Sequence, residues 1–171
     1  RRYLNYCFDE TWKEGFAFSV PTDLGIINYL TSDLQYETAM HLMASFDAII
    51  PGKYASPTTI SEHYKKHHIP EHWDLFIELL KVKYSDEPGL IDIFDISNQN
   101  TCYNMFIMKR TLFNEYCSDL FGLLNQIYWK FGLQYDSYNN RYIGFLAERF
   151  LNFWLLKYKL RHLEVPMLML S

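Results

Sequence analysis

A glutamate and an arginine, Glu148 and Arg149, stand side by side in the middle of a strongly apolar segment, residues 141–154. The segment has no proline, and its apolar side chains recur at spacings of three and four, which predicts a helix buried on most sides. Arg141 and Asn152 fall near the charged pair on a helical wheel. Because a charge in apolar surroundings is costly unless it is paired or used, the segment predicts either a structural ion pair or a polar site at the bottom of a cleft.

Two further groups of polar residues have the chemistry to bind phosphate or sugar. Arg1 and Arg2 are adjacent, and two guanidinium groups next to a strand end suit a diphosphate; the alternative is a pair of solvated arginines. Asn104 and Lys109 lie within and just after a predicted strand, which makes them candidates for the wall of a cleft opposite Glu148 and Arg149. The sequence contains no Asp-x-Asp pair, so a divalent metal held by two such aspartates is not encoded here.

Four histidines lie within ten residues of one another. His63 and His67, and then His68 and His72, are each four apart, a spacing that places two imidazoles on one helix face and can bind a metal. Pro70 interrupts the helix between them, and no cysteine or carboxylate set completes a metal site. A polar helix face with one or two histidines lining a cleft is therefore favoured over a metal site.

Length, charge and hydropathy limit the class of protein. A chain of 171 residues predicts a single domain over residues 1–171. The net charge of −4 and the lack of a basic tract argue against a nucleic-acid partner. No apolar run is long enough for a membrane span. Three scattered cysteines, Cys7, Cys102 and Cys117, predict buried thiols in a reducing compartment, which here means the cytoplasm.

Strand and helix patterns alternate along the chain, which predicts an α/β fold, helix-rich with a few strands. The strands are expected at residues 47–51, 102–108 and 162–166, with the first residues as the end of another strand. The residues from 9 to 29 and from 86 to 100 are predicted to be loop or irregular connectors. The helices are expected near residues 36–46, 58–67, 71–84, 112–129 and from 136 or 137 to about 159.

Three motifs resemble a bacterial protein family. They are Tyr-Asn-Met-Phe-Ile-Met-Lys-Arg at 103–110, Phe-Asn-Glu-Tyr-Cys at 113–117, and Gly-Phe-Leu-Ala-Glu-Arg-Phe-Leu-Asn at 144–152. The family is domain-of-unknown-function family 4422, which occurs among capsular and exopolysaccharide gene products and is regarded as glycosyltransferase-like. Shorter segments resemble it too: Arg1-Arg2-Tyr3, residues 62–74 with His68 and Asp74 on matching positions, and residues 163–166.

The resemblance implies the C-terminal part of a GT-A-like nucleotide-sugar transferase fold, without its N-terminal nucleotide-binding strands. It implies a glycosyltransferase of bacterial surface polysaccharide synthesis that uses a nucleotide-sugar donor, with galactose as the guessed sugar, and a glycan or lipid-linked glycan acceptor. Glu148 would be the catalytic base. Donor phosphates would bind Arg1, Arg2, Lys109 and Arg149, and the substrate would contact His68, Tyr103 and Asn104. No cofactor is implied by the residues present, and a fragment of this kind need not be active alone.

The expected location is the cytoplasm, with peripheral association at the inner face of the membrane. A second interpretation is a non-catalytic glycan-binding or scaffold module of a polysaccharide assembly complex. In that case Glu148 and Arg149 would form a buried structural pair.

Overall fold

The computed structural model describes residues 2–4, 17–20, 24–25, 28, 32–101, 103–134 and 136–170. The contacts between residues in space divide the chain into two compact units. The first contains residues 1–53, 105–112 and 160–171, and the second contains residues 54–104 and 113–159. The expectation that residues 1–171 form a single domain stays a prediction.

Six α-helices and eight short strands are formed by the described residues. The helices are α1 (Asp33–Ser45), α2 (Ile60–His67), α3 (Pro70–Lys83), α4 (Pro88–Ile96), α5 (Arg110–Phe131) and α6 (Tyr142–Lys157), with a 3-10 turn at Asn139–Arg141 before α6. The strands are β1 (Arg2–Leu4), β2 (Ala17–Val20), β3 (Ala48–Pro51), β4 (Tyr54–Ala55), β5 (Gln99–Asn100), β6 (Ile107–Met108), β7 (His162–Val165) and β8 (Met167–Leu170). The structure is a helix-rich α/β fold, as expected.

Two three-stranded sheets lie in the first unit. In one, β3 is central, antiparallel to β6 and parallel to β7, with Ala48 opposite His162. In the other, β8 lies between β1 and β2. Ile49 and Val165 are almost fully buried and pack against apolar side chains of α1, β6 and β7.

Aromatic packing around α6 forms the core of the second unit. Phe153 of α6 contacts Phe94 of α4 and Tyr84 at the end of α3, with ring centroids 5.6 and 5.1 Å apart. Trp154 of α6 contacts Tyr116 of α5 at 5.4 Å. The predicted buried helix is confirmed, because eleven of the sixteen residues of α6 are buried.

The same unit contains the small two-stranded sheet that places two polar residues beside α6. β4 pairs antiparallel with β5, so that Tyr54 lies opposite Asn100. Asn98 and Ser97 then accept backbone hydrogen bonds from Ser56 and Ile60, which fix the loop between β4 and α2 to the end of α4.

Thr59 caps α2, the helix that the sequence predicts near residues 58–67. Its hydroxyl accepts a hydrogen bond from the Glu62 backbone amide at 3.1 Å, and the Glu62 carboxylate accepts one from the Thr59 amide at 3.0 Å. Replacing Thr59 by alanine leaves the Glu62 amide without this acceptor, and we expect it to lower the free energy of unfolding by about 1 kcal/mol. Urea titration followed by circular dichroism measures this loss. Thr111→Ala is the control, and an equal loss in both variants would contradict the capping role.

The prediction of an irregular connector over residues 86–100 was wrong for its larger part, where the structure has α4. Pro88 opens this helix, at a position where its missing N–H costs nothing. Ile91 and Phe94 are buried, and Asp95 accepts a hydrogen bond from the indole of Trp73 at 2.8 Å. The helix depends on these tertiary contacts, which a short apolar patch does not reveal.

The strand predicted over residues 102–108 was also wrong over most of its length. Tyr103 has a φ of 72°, a left-handed conformation that an extended strand excludes. Within the predicted segment, strand pairing is formed only by Ile107 and Met108 among the described residues. The loop predicted over residues 9–29 contains β2, and β8 follows the predicted strand at 162–166.

Two predicted helix starts were displaced. The last long helix begins at Tyr142, because Asp136 accepts hydrogen bonds from Asn139 and so opens a separate turn, which the 3-10 turn at Asn139–Arg141 continues up to the helix. The helix expected to begin near residue 112 begins at Arg110.

Candidate functional site

Glu148 and Arg149 of α6 are the charged pair on which the candidate site is built. The Arg149 residue is only 6% exposed, whereas the side chain of Glu148 is 30% exposed. Nη1 of Arg149 donates to Glu148 Oε2 at 3.1 Å and to the Phe145 carbonyl at 3.1 Å. The structure therefore contains the ion pair of the first interpretation, with the carboxylate on the side nearer to solvent.

Asn152, one turn farther along α6, joins this pair to the loop after β5. Its amide oxygen accepts from the Thr101 backbone N–H at 2.8 Å. Its amide nitrogen donates to Asn100 Oδ1 at 2.8 Å and to the Glu148 carbonyl at 3.1 Å. Since all of these groups are buried or partly buried, the contacts fix the position of β5 relative to Glu148 and Arg149.

A pocket opens above the Arg149 guanidinium, and all of its lining residues belong to the second unit. It encloses about 190 Å³ of empty space including its open mouth. Its lining residues are Tyr54, Ser56, Ile60, His63, Asn100 and Arg149. The enclosed part of this space is small, so the pocket can admit no more than one small group of a larger substrate.

Several polar groups of this pocket are held in place. Asn100 Oδ1 accepts from Asn152, which orients the Asn100 amide. Ser56 Oγ accepts from the Thr58 amide at 3.2 Å and lies 3.3 Å from the Thr58 hydroxyl. Below the pocket the Arg149 guanidinium lies over the ring of Tyr64, with 5.7 Å between its carbon and the ring centroid. These contacts fix the positions of the polar side chains in the pocket wall.

His63 adds an imidazole to the pocket wall. Burial, the Arg149 charge, His67 and Lys66 together lower the pKa of His63 below its ordinary value. The imidazole is therefore neutral at physiological pH, with one nitrogen able to donate and the other able to accept. Its ring also lies 4.5 Å from that of His67.

His68, a predicted substrate contact, is packed among aromatic rings. Its ring stacks on Phe145 at 4.2 Å and on Tyr138 at 5.7 Å. Burial and the Arg149 charge lower the pKa of His68 to about 4. Nδ1 is buried and has no hydrogen-bond partner among the described residues. His68 supports the N-terminal part of α6, and a contact with substrate stays a prediction.

The other histidines do not form a metal cluster among the described residues. His72 is 1% exposed and stacks on Tyr142 at 4.2 Å. His67 is exposed, and its Nδ1 lies 2.8 Å from the His63 carbonyl. Of the four, His63 is the histidine that lines the pocket.

Three predicted phosphate-binding residues, Arg1, Arg2 and Lys109, belong to the first unit. Lys109 Nζ lies 2.9 Å from Asp47 Oδ1, and this contact lowers the pKa of Asp47. Arg161 also pairs with Asp47, at 3.7 Å. Arg1 lies outside the described residues, and the structure describes Arg2 only as the first residue of β1. Their roles toward phosphate stay predictions.

The remaining predicted contacts lie in the turn after β5. Tyr103 is half-buried in the left-handed conformation, and Asn104 is exposed. A role for either in substrate binding stays a prediction. Cys117 is a free, half-buried thiol, whereas Cys7 and Cys102 lie outside the described residues.

Sequence reasoning found the charged pair and missed most of the pocket. Tyr54 and Ser56 are two residues apart, but both are distant in sequence from Asn100 and from Arg149, and no spacing connects the three parts. The pairing of β4 with β5 brings Tyr54 and Asn100 together, but each of these strands is only two residues long. Asn152 was the available signal, because it is a polar residue one turn from Glu148 on the buried helix.

Comparison with known proteins gives a family and a fold. The family model described as "Domain of unknown function (DUF4422)" matches residues 1–159. A solved structure titled "WbbM bifunctional glycosytransferase apo structure" superposes with a TM-score of 0.88 at 21% sequence identity. The match covers 100% of this chain and 32% of the solved chain, so this chain spans about a third of that protein. None of the curated proteins matches at a significant level.

Proposed function

Because this chain belongs to the DUF4422 family, we propose that it is part of a glycosyltransferase of bacterial surface polysaccharide synthesis. It transfers a sugar, with galactose or galactofuranose as the first candidates, from a nucleotide-sugar donor to a glycan or lipid-linked glycan. The protein whose structure it resembles is titled a bifunctional glycosyltransferase, which supports this class. We further propose that the fold is the C-terminal part of a GT-A-like domain.

The observation that carries the proposal is the half-exposed carboxylate of Glu148, held by a buried arginine. Arg149 is fixed by the Phe145 carbonyl, and Asn152 by the loop after β5, so the carboxylate is held on a rigid helix. A carboxylate held in this way is suited to general-base catalysis.

In the proposed reaction Glu148 accepts the proton of an acceptor hydroxyl as that oxygen attacks the anomeric carbon of the donor. The bond from this carbon to the diphosphate oxygen breaks, and the nucleoside diphosphate leaves with the bonding electrons. Cationic groups stabilise the charge that develops on the leaving group. Arg1, Arg2, Lys109 and Arg149 are proposed for this role, and Lys109 would have to exchange Asp47 for the phosphate.

The proposal is tested by incubating the intact protein with a panel of nucleotide sugars and acceptor glycans, with and without EDTA. Release of nucleoside diphosphate that depends on the acceptor supports it, and the EDTA arm shows whether a divalent metal is needed. The absence of turnover with every donor, together with binding of the glycan, would instead favour the non-catalytic glycan-binding or scaffold module.

We also propose that the protein acts at the inner face of the cytoplasmic membrane through the C-terminal end of α5. No helix among the described residues is long and apolar enough to cross a membrane. Trp129 is 86% and Leu133 78% exposed, with Phe121 and Tyr128 also exposed. Residues 120–135 contain no acidic side chain and one lysine, Lys130. Exposed aromatic rings beside a cation are typical of the membrane interface.

Replacing Trp129 and Leu133 by serine is expected to weaken binding to vesicles at least about tenfold, because each large apolar side chain contributes through burial. Sedimentation with vesicles that contain anionic lipid measures the bound fraction. Val82→Ser on α3 is the control, since Val82 is 70% exposed elsewhere. Equal vesicle binding by the wild-type protein, the double variant and Val82→Ser would contradict the proposed membrane contact.

A further inference from the structure

The Arg149 guanidinium has a terminal nitrogen that is occupied by the protein, and Arg149 also lines the pocket. Nη1 donates to the Phe145 carbonyl and to Glu148. Nε is buried and has no hydrogen-bond partner among the described residues. By the covalent geometry of the group, Nε–H shares its edge with one Nη2 hydrogen, and this edge forms bidentate hydrogen bonds with an oxyanion.

A buried donor of this kind needs a partner. Leaving a buried polar group unsatisfied costs free energy, and the cost is larger for a charged group. Arg149 is more than nine-tenths buried, and it lines a pocket that also contains His63, Asn100 and Ser56. The unpartnered Nε–H of the guanidinium favours an anionic group as the ligand.

We propose that this pocket is an oxyanion subsite, in which Arg149 and His63 together bind one phosphate or carboxylate group of the substrate. The inference deepens the proposed transferase site and rests on it for the identity of the substrate. A phosphate would belong to the diphosphate of a donor or of a lipid-linked acceptor. A carboxylate would belong to an acidic sugar of the glycan.

Charge balance connects this binding to the protonation of His63. Without ligand, Arg149 and Glu148 neutralise each other, and a proton on His63 would be an uncompensated positive charge. The groups that face His63, namely Arg149, His67 and Lys66, all disfavour that proton, as does burial. A bound oxyanion supplies the missing negative charge, so that it raises the pKa of His63 toward neutrality.

The change in protonation of His63 sets the direction in which the affinity for the oxyanion depends on pH. The complex holds more protons than the free protein, so binding takes up protons and the affinity increases as the pH falls from about 8 to about 6. Calorimetry in two buffers of different ionisation enthalpy measures this uptake directly. The probes are inorganic pyrophosphate and a nucleoside diphosphate for the phosphate arm, and glucuronate for the carboxylate arm.

Arg149→Lys in the intact protein is expected to weaken binding of the preferred probe about tenfold to a hundredfold, because lysine cannot form the bidentate contact. His63→Gln is expected to retain weaker binding and to lose both the proton uptake and the pH dependence. The controls are Arg141→Gln and His41→Gln, two exposed residues outside the pocket. Circular dichroism and thermal unfolding establish that each variant is folded, and His63→Gln provides the test if Arg149→Lys does not fold.

Preference for pyrophosphate identifies the phosphate source, and preference for glucuronate identifies the acidic sugar. The proposal is overturned if the wild-type protein binds none of the probes, or if the two pocket variants bind as the controls do. Because these measurements need no sugar transfer, their outcome is independent of the test of the catalytic role of Glu148.

Discussion

Replacing Glu148 by glutamine is expected to lower the rate of sugar transfer by a factor of about 100 to 10,000, the range that a general base supplies. The amide has nearly the same shape as the carboxylate, and its oxygen can still accept the hydrogen bond from Arg149 Nη1. It cannot accept the acceptor proton at neutral pH. We therefore expect the loss to appear in kcat, which the release of nucleoside diphosphate measures. The affinity for the donor should change little.

Glu78→Gln is the matched control, because Glu78 is an exposed carboxylate on α3 of the same unit. This control should retain the wild-type rate. Transfer at the full rate by Glu148→Gln would eliminate Glu148 as the base and leave the Glu148–Arg149 pair with a structural role. A thermal unfolding midpoint close to that of the wild-type protein would confirm that any loss of rate is chemical rather than a loss of fold.

The structure bears on the two alternatives that the sequence left open for Glu148 and Arg149. Glu148 and Arg149 form a hydrogen-bonded ion pair, which alone favours a structural role. Only Arg149 is deeply buried, however, and its Nε has no partner among the described residues. A pair that served stability alone would gain from satisfying this donor, since buried pairs contribute little to stability unless their remaining hydrogen bonds are made. This unsatisfied edge is the strongest structural argument for a ligand.

Periodicity and local signals predicted the helices whose stability comes from their own sequence. The apolar spacing of α6, the capping box of Thr59 and Glu62, and Pro70 at the start of α3 act over a few residues, and each is present in the structure. Such signals predict the presence of a helix well because they reflect interactions between residues that are close in sequence.

Features that depend on distant contacts were not predicted. α4 is held by Trp73, Phe153 and Asp95, of which two come from other elements. The pairing of Tyr54 with Asn100 joins residues 46 positions apart. A single sequence gives no indication of such long-range pairs. The charged pair of the site, Glu148 and Arg149, was therefore predictable, whereas Tyr54 and Asn100 were not.

Asn152 joins the charged pair on α6 to the residues at the end of β5. Its side chain contacts Thr101 and Asn100 after β5, and the Glu148 carbonyl on α6, within 2.8 to 3.3 Å. Replacing it by alanine leaves the buried Thr101 amide and the Asn100 amide oxygen without these partners. We expect the free energy of unfolding to fall by about 3 kcal/mol and the thermal midpoint by about 10 °C. Calorimetry or circular dichroism measures both.

Two further variants separate the hydrogen bonds from the volume of the side chain. Asn125→Ala, at an exposed position of α5, should change stability by less than about 0.5 kcal/mol. Asn152→Asp keeps the size and the acceptor for Thr101, but it places a carboxylate against Asn100 Oδ1 and the Glu148 carbonyl. We expect it to be destabilised as strongly as the alanine variant. Wild-type stability in Asn152→Asp would show that the donor contacts are dispensable. Loss of stability with unchanged oxyanion affinity in the folded variant would show that Asn152 supports the fold without shaping the pocket.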